Sequence, residues 1–174
     1  CRLSKTRELS MRPCLALVFV SLACGVSLAQ ECTLENARYG QPKSSWTLNF
    51  GPLPQAARAN QIAAFALNLP NSDKVLEGAI HVPNGYGAAI WTALGSCGPG
   101  SKALCDWPSE EMPPAVYGIY DGAAGFLQAE IGAQAPEQIL LPQLVLNLWY
   151  SNYRETEWSD DSDPSDAFVL AGCD

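Results

Sequence analysis

Trp46-Thr47-Leu48-Asn49-Phe50 alternates apolar and polar side chains with a period of two, and Gly51-Pro52-Leu53-Pro54 stops it. That period places Trp46, Leu48 and Phe50 on one face of an extended chain, as a strand half-buried against a core requires. Outward from this strand, residues 56–69 are ambiguous. Their alanines favour helix, whereas Ile62-Ala63-Ala64-Phe65-Ala66-Leu67-Asn68-Leu69 also suits a strand buried on both faces. We read the first part as a loop or short helical turn and residues 61–69 as a strand. Pro70-Asn71-Ser72-Asp73-Lys74 is turn chemistry, residues 75–82 alternate loosely, and Pro83-Asn84-Gly85-Tyr86-Gly87 precedes a further apolar run over residues 88–94. Asn-Gly between two such runs signals a hairpin, because a tight hairpin turn needs positive φ. Two successive hairpins make an antiparallel meander.

Beyond the meander, residues 97–114 are rich in glycine, proline and charge without a sustained period, and read as a long surface loop of the kind that often carries function. Residues 115–120, the turn Asp121-Gly122 and residues 126–131 read as a third hairpin. Residues 139–141 and 144–150 flank Pro142, which predicts two short strand pieces or one bulged edge strand. Residues 167–170 form the last strand. About seven to eight short strands broken by glycine and proline define an all-β domain, an antiparallel sandwich or small barrel. The glycines are scattered as turn residues are, without a repeat or a phosphate-binding signature.

The opposite end of the chain reads as an address. Residues 11–29 carry Arg12 beside Met11, the run Leu15-Ala16-Leu17-Val18-Phe19-Val20, and a small-x-small cleavage site at Ser27-Leu28-Ala29. This is an export signal, too short for a membrane span. Residues 1–10 read as sequence upstream of a start at Met11, and residues 30–174 as a single mature domain, periplasmic or secreted. Ser21-Leu22-Ala23-Cys24 offers lipid anchoring at Cys24 as an alternative, although a serine stands where such sites carry an apolar residue. After cleavage near Ala29 no apolar stretch of membrane-spanning length follows.

Residues 30–174 carry six basic residues against seventeen carboxylates, a formal charge of −11. So acidic a surface repels phosphate backbones and anionic headgroups, which excludes nucleic acid as a partner. Four cysteines follow the signal, and in an oxidising compartment an even number forms bridges. Three pairings are possible. We favour Cys97 with Cys105, across Gly-Pro-Gly, and Cys32 with Cys173, tying the ends together. The long closure would contribute roughly 4 to 5 kcal/mol and the short one about 2 to 3. Zinc would call for a CxxC pair, and the chain has none.

Candidate chemistry is sparse, and no cofactor is expected. His81 is the sole histidine, set within a predicted strand and without a nucleophile elbow, so it reads as a solvent-facing strand residue. Asp106, Glu110, Glu111 and Asp121 fall in or beside the long loop and could supply the carboxylate pair of a glycan hydrolase. Asp160, Asp161, Asp163 and Asp166 offer hard oxygens to calcium, but the segment lacks the glycine and terminal glutamate of an EF-hand loop and Pro164 interrupts it. A charged connection before the last strand is the simpler reading. Trp46, Trp91 and Trp149 lie in apolar runs and read as core. Trp107 and Trp158 lie among loop and acidic residues, where they could offer stacking faces to a sugar.

Several short motifs occur together: Cys32-Thr33, Trp-Thr-Leu-Asn-Phe at 46–50, Asn-Gly-Tyr at 84–86, Ala-Pro-Glu at 135–137, Leu-Pro-Gln-Leu at 141–144, Leu-Trp-Tyr at 148–150 and Leu-Ala-Gly-Cys at 170–173. In these the mature chain resembles small exported bacterial proteins of unknown function. The resemblance implies bacterial export and the terminal Cys32 and Cys173 pairing, and carries no catalytic or binding residue across. The expectation is a non-enzymatic binding module that takes an envelope glycan or protein through the loop at residues 97–114 and the neighbouring turns. The alternatives are a small carboxylate-dependent glycan hydrolase and a structural envelope protein.

Overall fold

The computed structural model describes residues 32–57, 59–72, 75–96, 104–107, 114–128, 130–150 and 164–174. After a single 3-10 turn at Leu34–Asn36, the strands in chain order are β1 (Ala37–Gly40), β2 (Thr47–Gly51), β3 (Gln61–Asn68), β4 (Val75–His81), β5 (Ile90–Ser96), β6 (Leu104–Trp107), β7 (Tyr117–Tyr120), β8 (Ala123–Phe126), β9 (Gln138–Leu140) and β10 (Ala167–Cys173). Among the described residues one helix, α1 (Leu144–Tyr150), lies between β9 and β10. All ten strands join one antiparallel sheet in the order β6-β5-β4-β3-β2-β1-β10-β9-β7-β8.

The predicted all-β, antiparallel, disulfide-stapled architecture is what the chain adopts. The sheet curls toward a barrel. β5 is second from one edge and β7 second from the other, yet Ile90 bridges Ala115, and the Val116 N–H donates to the Ala89 carbonyl at 2.8 Å. The Trp91 indole N–H also crosses to the Pro142 carbonyl at 3.1 Å.

The interior follows from strand alternation. Tyr39, Leu48, Leu67 and Leu76 face one another across β1 to β4 and are all buried, as are Ala63, Ile80 and Trp91 across β3 to β5. Phe50 and Phe65 pair edge to face, ring centroids 5.7 Å apart, and the Phe65 ring lies over Gly78, filling the space a side chain at that position would need. Trp46 and Trp91 are core, as the sequence predicts.

Four expectations are corrected. First, the described residues form ten strands, because β1 and β6, four residues each, are too short to be legible as strands. β1 is the seam between the β2 side and β10. The expected 97–114 loop contains β6, paired with β5 from Ala93↔Trp107 to Ser96↔Leu104. Second, the third hairpin turns tightly at Asp121 (φ 49°) and Gly122 (φ 75°), so its second strand starts at Ala123 and ends at Phe126 rather than spanning 126–131.

Third, residues 144–150 are helical. Alternating leucines suggest a strand, but Leu144 and Leu148, one turn apart, both enter the core beside Leu141. The Asp166 carboxylate accepts the Gln143 and Val145 N–H groups at 2.7 and 2.9 Å, satisfying donors the first turn leaves open. Fourth, Trp149, expected in the core, is 43% exposed: with Leu144 and Leu148 turned inward, the next helical position, about 100° further round, falls off the buried stripe.

The two ends meet at the seam. Cys32 and Cys173 form a disulfide with Cα atoms 5.8 Å apart, closing a separation of 141 residues. The Tyr39 hydroxyl, buried beneath, donates to the Pro136 carbonyl at 3.1 Å. Desolvation, and secondarily Tyr120, hold the Tyr39 phenol far above its ordinary value. Gln41, also buried, donates to the Ser165 carbonyl and accepts from Ser44 Oγ at 2.9 Å and the Ser165 N–H at 3.3 Å. The β1–β2 turn is thereby tied to the approach to β10.

Candidate functional site

The outward-facing residues of β2 to β5 form a trough of about 570 Å³. Its floor is a row of small residues across neighbouring strands, Gly51, Ala64, Ala79 and Thr92, with Ala66 in the adjacent row. Where alternation would ordinarily put long solvated side chains, alanine and glycine leave a depression. Pro52, Pro54 and Ala56, in the connection from β2 to β3, build one wall. The same connection returns to the sheet at Asn60, whose carbonyl accepts the Val82 N–H at 2.8 Å.

This covering explains His81. It belongs to the outward face, in register with Ala79, but is only 4% exposed. The expectation of a solvent-facing histidine is therefore corrected: strand parity is read correctly, but the β2–β3 connection passes over that face. His81 Nε2 and Thr92 Oγ1 are 3.0 Å apart, linking β4 to β5 at one end of the trough. At the other end Asn49 and Glu77 flank Ala66 in one cross-strand row. Their separation of two strand spacings is about 10 Å. Neither side chain engages another described residue by hydrogen bond or ion pair.

Of the carboxylates singled out from sequence, Asp106 lies on β6, opposite Leu94, and Asp121 on the exposed β7–β8 turn. In hydrogen-bonding order these are opposite edges of the sheet. Glu110 and Glu111 lie outside the described residues, and the two described members, Asp106 and Asp121, do not lie on neighbouring strands. Trp107 is the last residue of β6, opposite Ala93, and Trp158 lies outside the described residues. Asp160, Asp161 and Asp163 also lie outside them. Asp166 uses both carboxylate oxygens on α1. Among the described residues no group of three or more His, Cys, Asp or Glu side chains is arranged to hold a metal ion. Cys105 lies on β6 opposite Gly95, and Cys97 is outside the described residues.

The trough residues Asn49, Glu77, Thr92 and the covered His81 were missed as a group. The available signal was compositional: Gly51, Ala64, Ala66 and Ala79 all fall on the polar face of their strands. Among the described residues no helix is long and apolar enough to cross a membrane. Comparison with family models, curated proteins and solved structures finds no match to this chain.

Proposed function

We propose that this chain is an exported, disulfide-closed β-domain that binds a component of the cell envelope without transforming it, and that it binds in the trough over β2 to β5. The observation that carries this reading is the trough itself, with small residues for a floor and polar side chains at both ends. Export rests on the signal at residues 11–29 and on the resemblance to small exported bacterial proteins. The Cys32–Cys173 bridge is in keeping with an oxidising compartment. A second bridge, Cys97 with Cys105, belongs to the same proposal.

A hydrolase needs two carboxylates facing one bond, and among the described residues Glu77 is the one carboxylate lining the trough. A structural role through strand-to-strand assembly calls for a long open edge. The edge strands β6 and β8 are four residues each. The test is a fragment screen on the processed protein, read by amide chemical shifts. Binding at the trough moves the amides of Ala64, Ala66 and Ala79 together. Shifts confined to the β7–β8 hairpin would move the site elsewhere and defeat the assignment.

A further inference from the structure

We propose that the trough accepts a neutral, hydroxyl-rich chain, a short oligosaccharide of uncharged sugars. This rests on the binding reading above and gives its ligand a chemical class.

The polar groups form a complementary set. The Asn49 amide offers donors and an acceptor, the Glu77 carboxylate offers acceptors, and the Thr92 hydroxyl keeps hydrogen-bonding capacity beyond its contact with His81. Asn49 and Glu77 stand on either side of Ala66, with no described residue as a polar partner. A ring lying over Ala66 could present hydroxyls to both while its C–H face rests on methyl groups. Crossing β2 to β5, the floor is about 14 Å long, room for more than one ring.

Other ligand classes fit less well. Among the described residues no lysine or arginine lines the trough, and residues 30–174 carry seventeen carboxylates against six cations, so a phosphate, sulfate or uronate would enter a site of unfavourable charge. A lipid or other apolar ligand would strip water from the amide, carboxylate and hydroxyl and return no hydrogen bonds. An extended peptide recognised by strand addition needs an open edge, whereas β3 and β4 are paired on both sides. That leaves a polar ligand without anionic groups; a neutral ring flat on one face uses the apolar floor as well as the Asn49 amide and Glu77 carboxylate, whereas a cation would use only the single carboxylate among the described lining.

The experiment is calorimetric titration of the processed protein with cellohexaose and chitohexaose as neutral probes, hexagalacturonate as an anionic probe and hexalysine as a cationic one. Gly51→Leu is the blocking variant. Nothing lies within 4 Å of a Cβ added at Gly51, so its side chain can enter the trough without disturbing the sheet. Thermal melting checks that it folds. Saturable binding of a neutral probe is expected, weakened about tenfold or more by Asn49→Ala or Glu77→Ala and lost in Gly51→Leu. Neutral probes silent at about 10 mM overturn the proposal, as does neutral binding indifferent to all three variants. If hexalysine or hexagalacturonate binds instead and Gly51→Leu abolishes it, the ligand class fails while the trough remains a binding site. If no probe binds and the fragment screen leaves the trough amides unmoved, both readings fall together.

Discussion

The β2–β5 side of the sheet and the β7–β10 side are built from the same kind of strand but held by contacts of different range. On the first side each strand pairs with its neighbour in sequence, so β2, β3, β4 and β5 form a continuous meander. On the second, β10 pairs with β1 and β9, β9 skips to β7, and α1 is capped by Asp166 from 21 and 23 residues away. The Cys32–Cys173 bridge and the Tyr39–Pro136 hydrogen bond close this side across most of the chain. Local pairing costs little loop entropy, whereas the distant partners of the second side come together only once the domain has largely formed. The trough belongs to the local side, so the proposed binding face is separate from the machinery that closes the fold.

Breaking the closure has the largest expected effect. Replacing both Cys32 and Cys173 by serine removes a loop constraint worth about 5 kcal/mol, checked by urea denaturation of oxidised wild type beside the variant. Loss of less than about 1 kcal/mol would mean that β1–β10 pairing alone holds the seam. Next, Gly78→Ala tests the local side. The new methyl would displace the Phe65 ring, at a cost of about 1 to 3 kcal/mol, while Phe65→Leu in the same chain recovers part of it.

Asp166→Ala, on the distant side, leaves two N–H groups at the start of α1 without their acceptor. The expected loss is about 1 to 2 kcal/mol, with reduced protection of the helix in hydrogen exchange. Asp166→Asn, which keeps one acceptor oxygen, should lose less.

The smallest effect is read through pH. Tyr39 is buried neutral and its folded value is raised above the ordinary 10.0, so the unfolded chain loses its proton first as pH rises. Stability from this group is full below about pH 10 and declines above it, because the unfolded state then binds fewer protons than the native one. Tyr39→Phe should flatten that alkaline decline and cost about 1 kcal/mol at neutral pH through the lost Pro136 hydrogen bond. Tyr120 is also raised, chiefly by burial against the opposing Gln128 N–H, so Tyr120→Phe in parallel separates the two contributions.

Much of the local side is legible in the chain. Trp46 to Phe50 alternate, Asn84-Gly85 and Asp121-Gly122 carry turn chemistry, and the strand expected over 61–69 is observed at Gln61–Asn68. The distant side is less so. Leu144, Leu146 and Leu148 satisfy a strand period as well as Leu144 and Leu148 satisfy a helical one, and the capping carboxylate that favours the helix is far along the chain. The four residues of β1 are too few to show a period, and they are central only because β2 and β10 flank them. The trough was invisible for a related reason. A small residue at an outward position looks like ordinary strand surface until neighbouring strands bring several into one row.

The sequence by itself determined the strand-rich class, the tight turns and the core positions of Trp46 and Trp91, because these follow from periodicity and backbone preference between near neighbours. It also narrowed the cysteines to a few pairings. The tertiary structure alone decided that β1 is the seam, that residues 144–150 wind into a helix, that His81 is covered, and that Asn49, Glu77 and Thr92 share one trough. Each of these depends on a partner many residues away, and no local pattern states which distant segment will supply it.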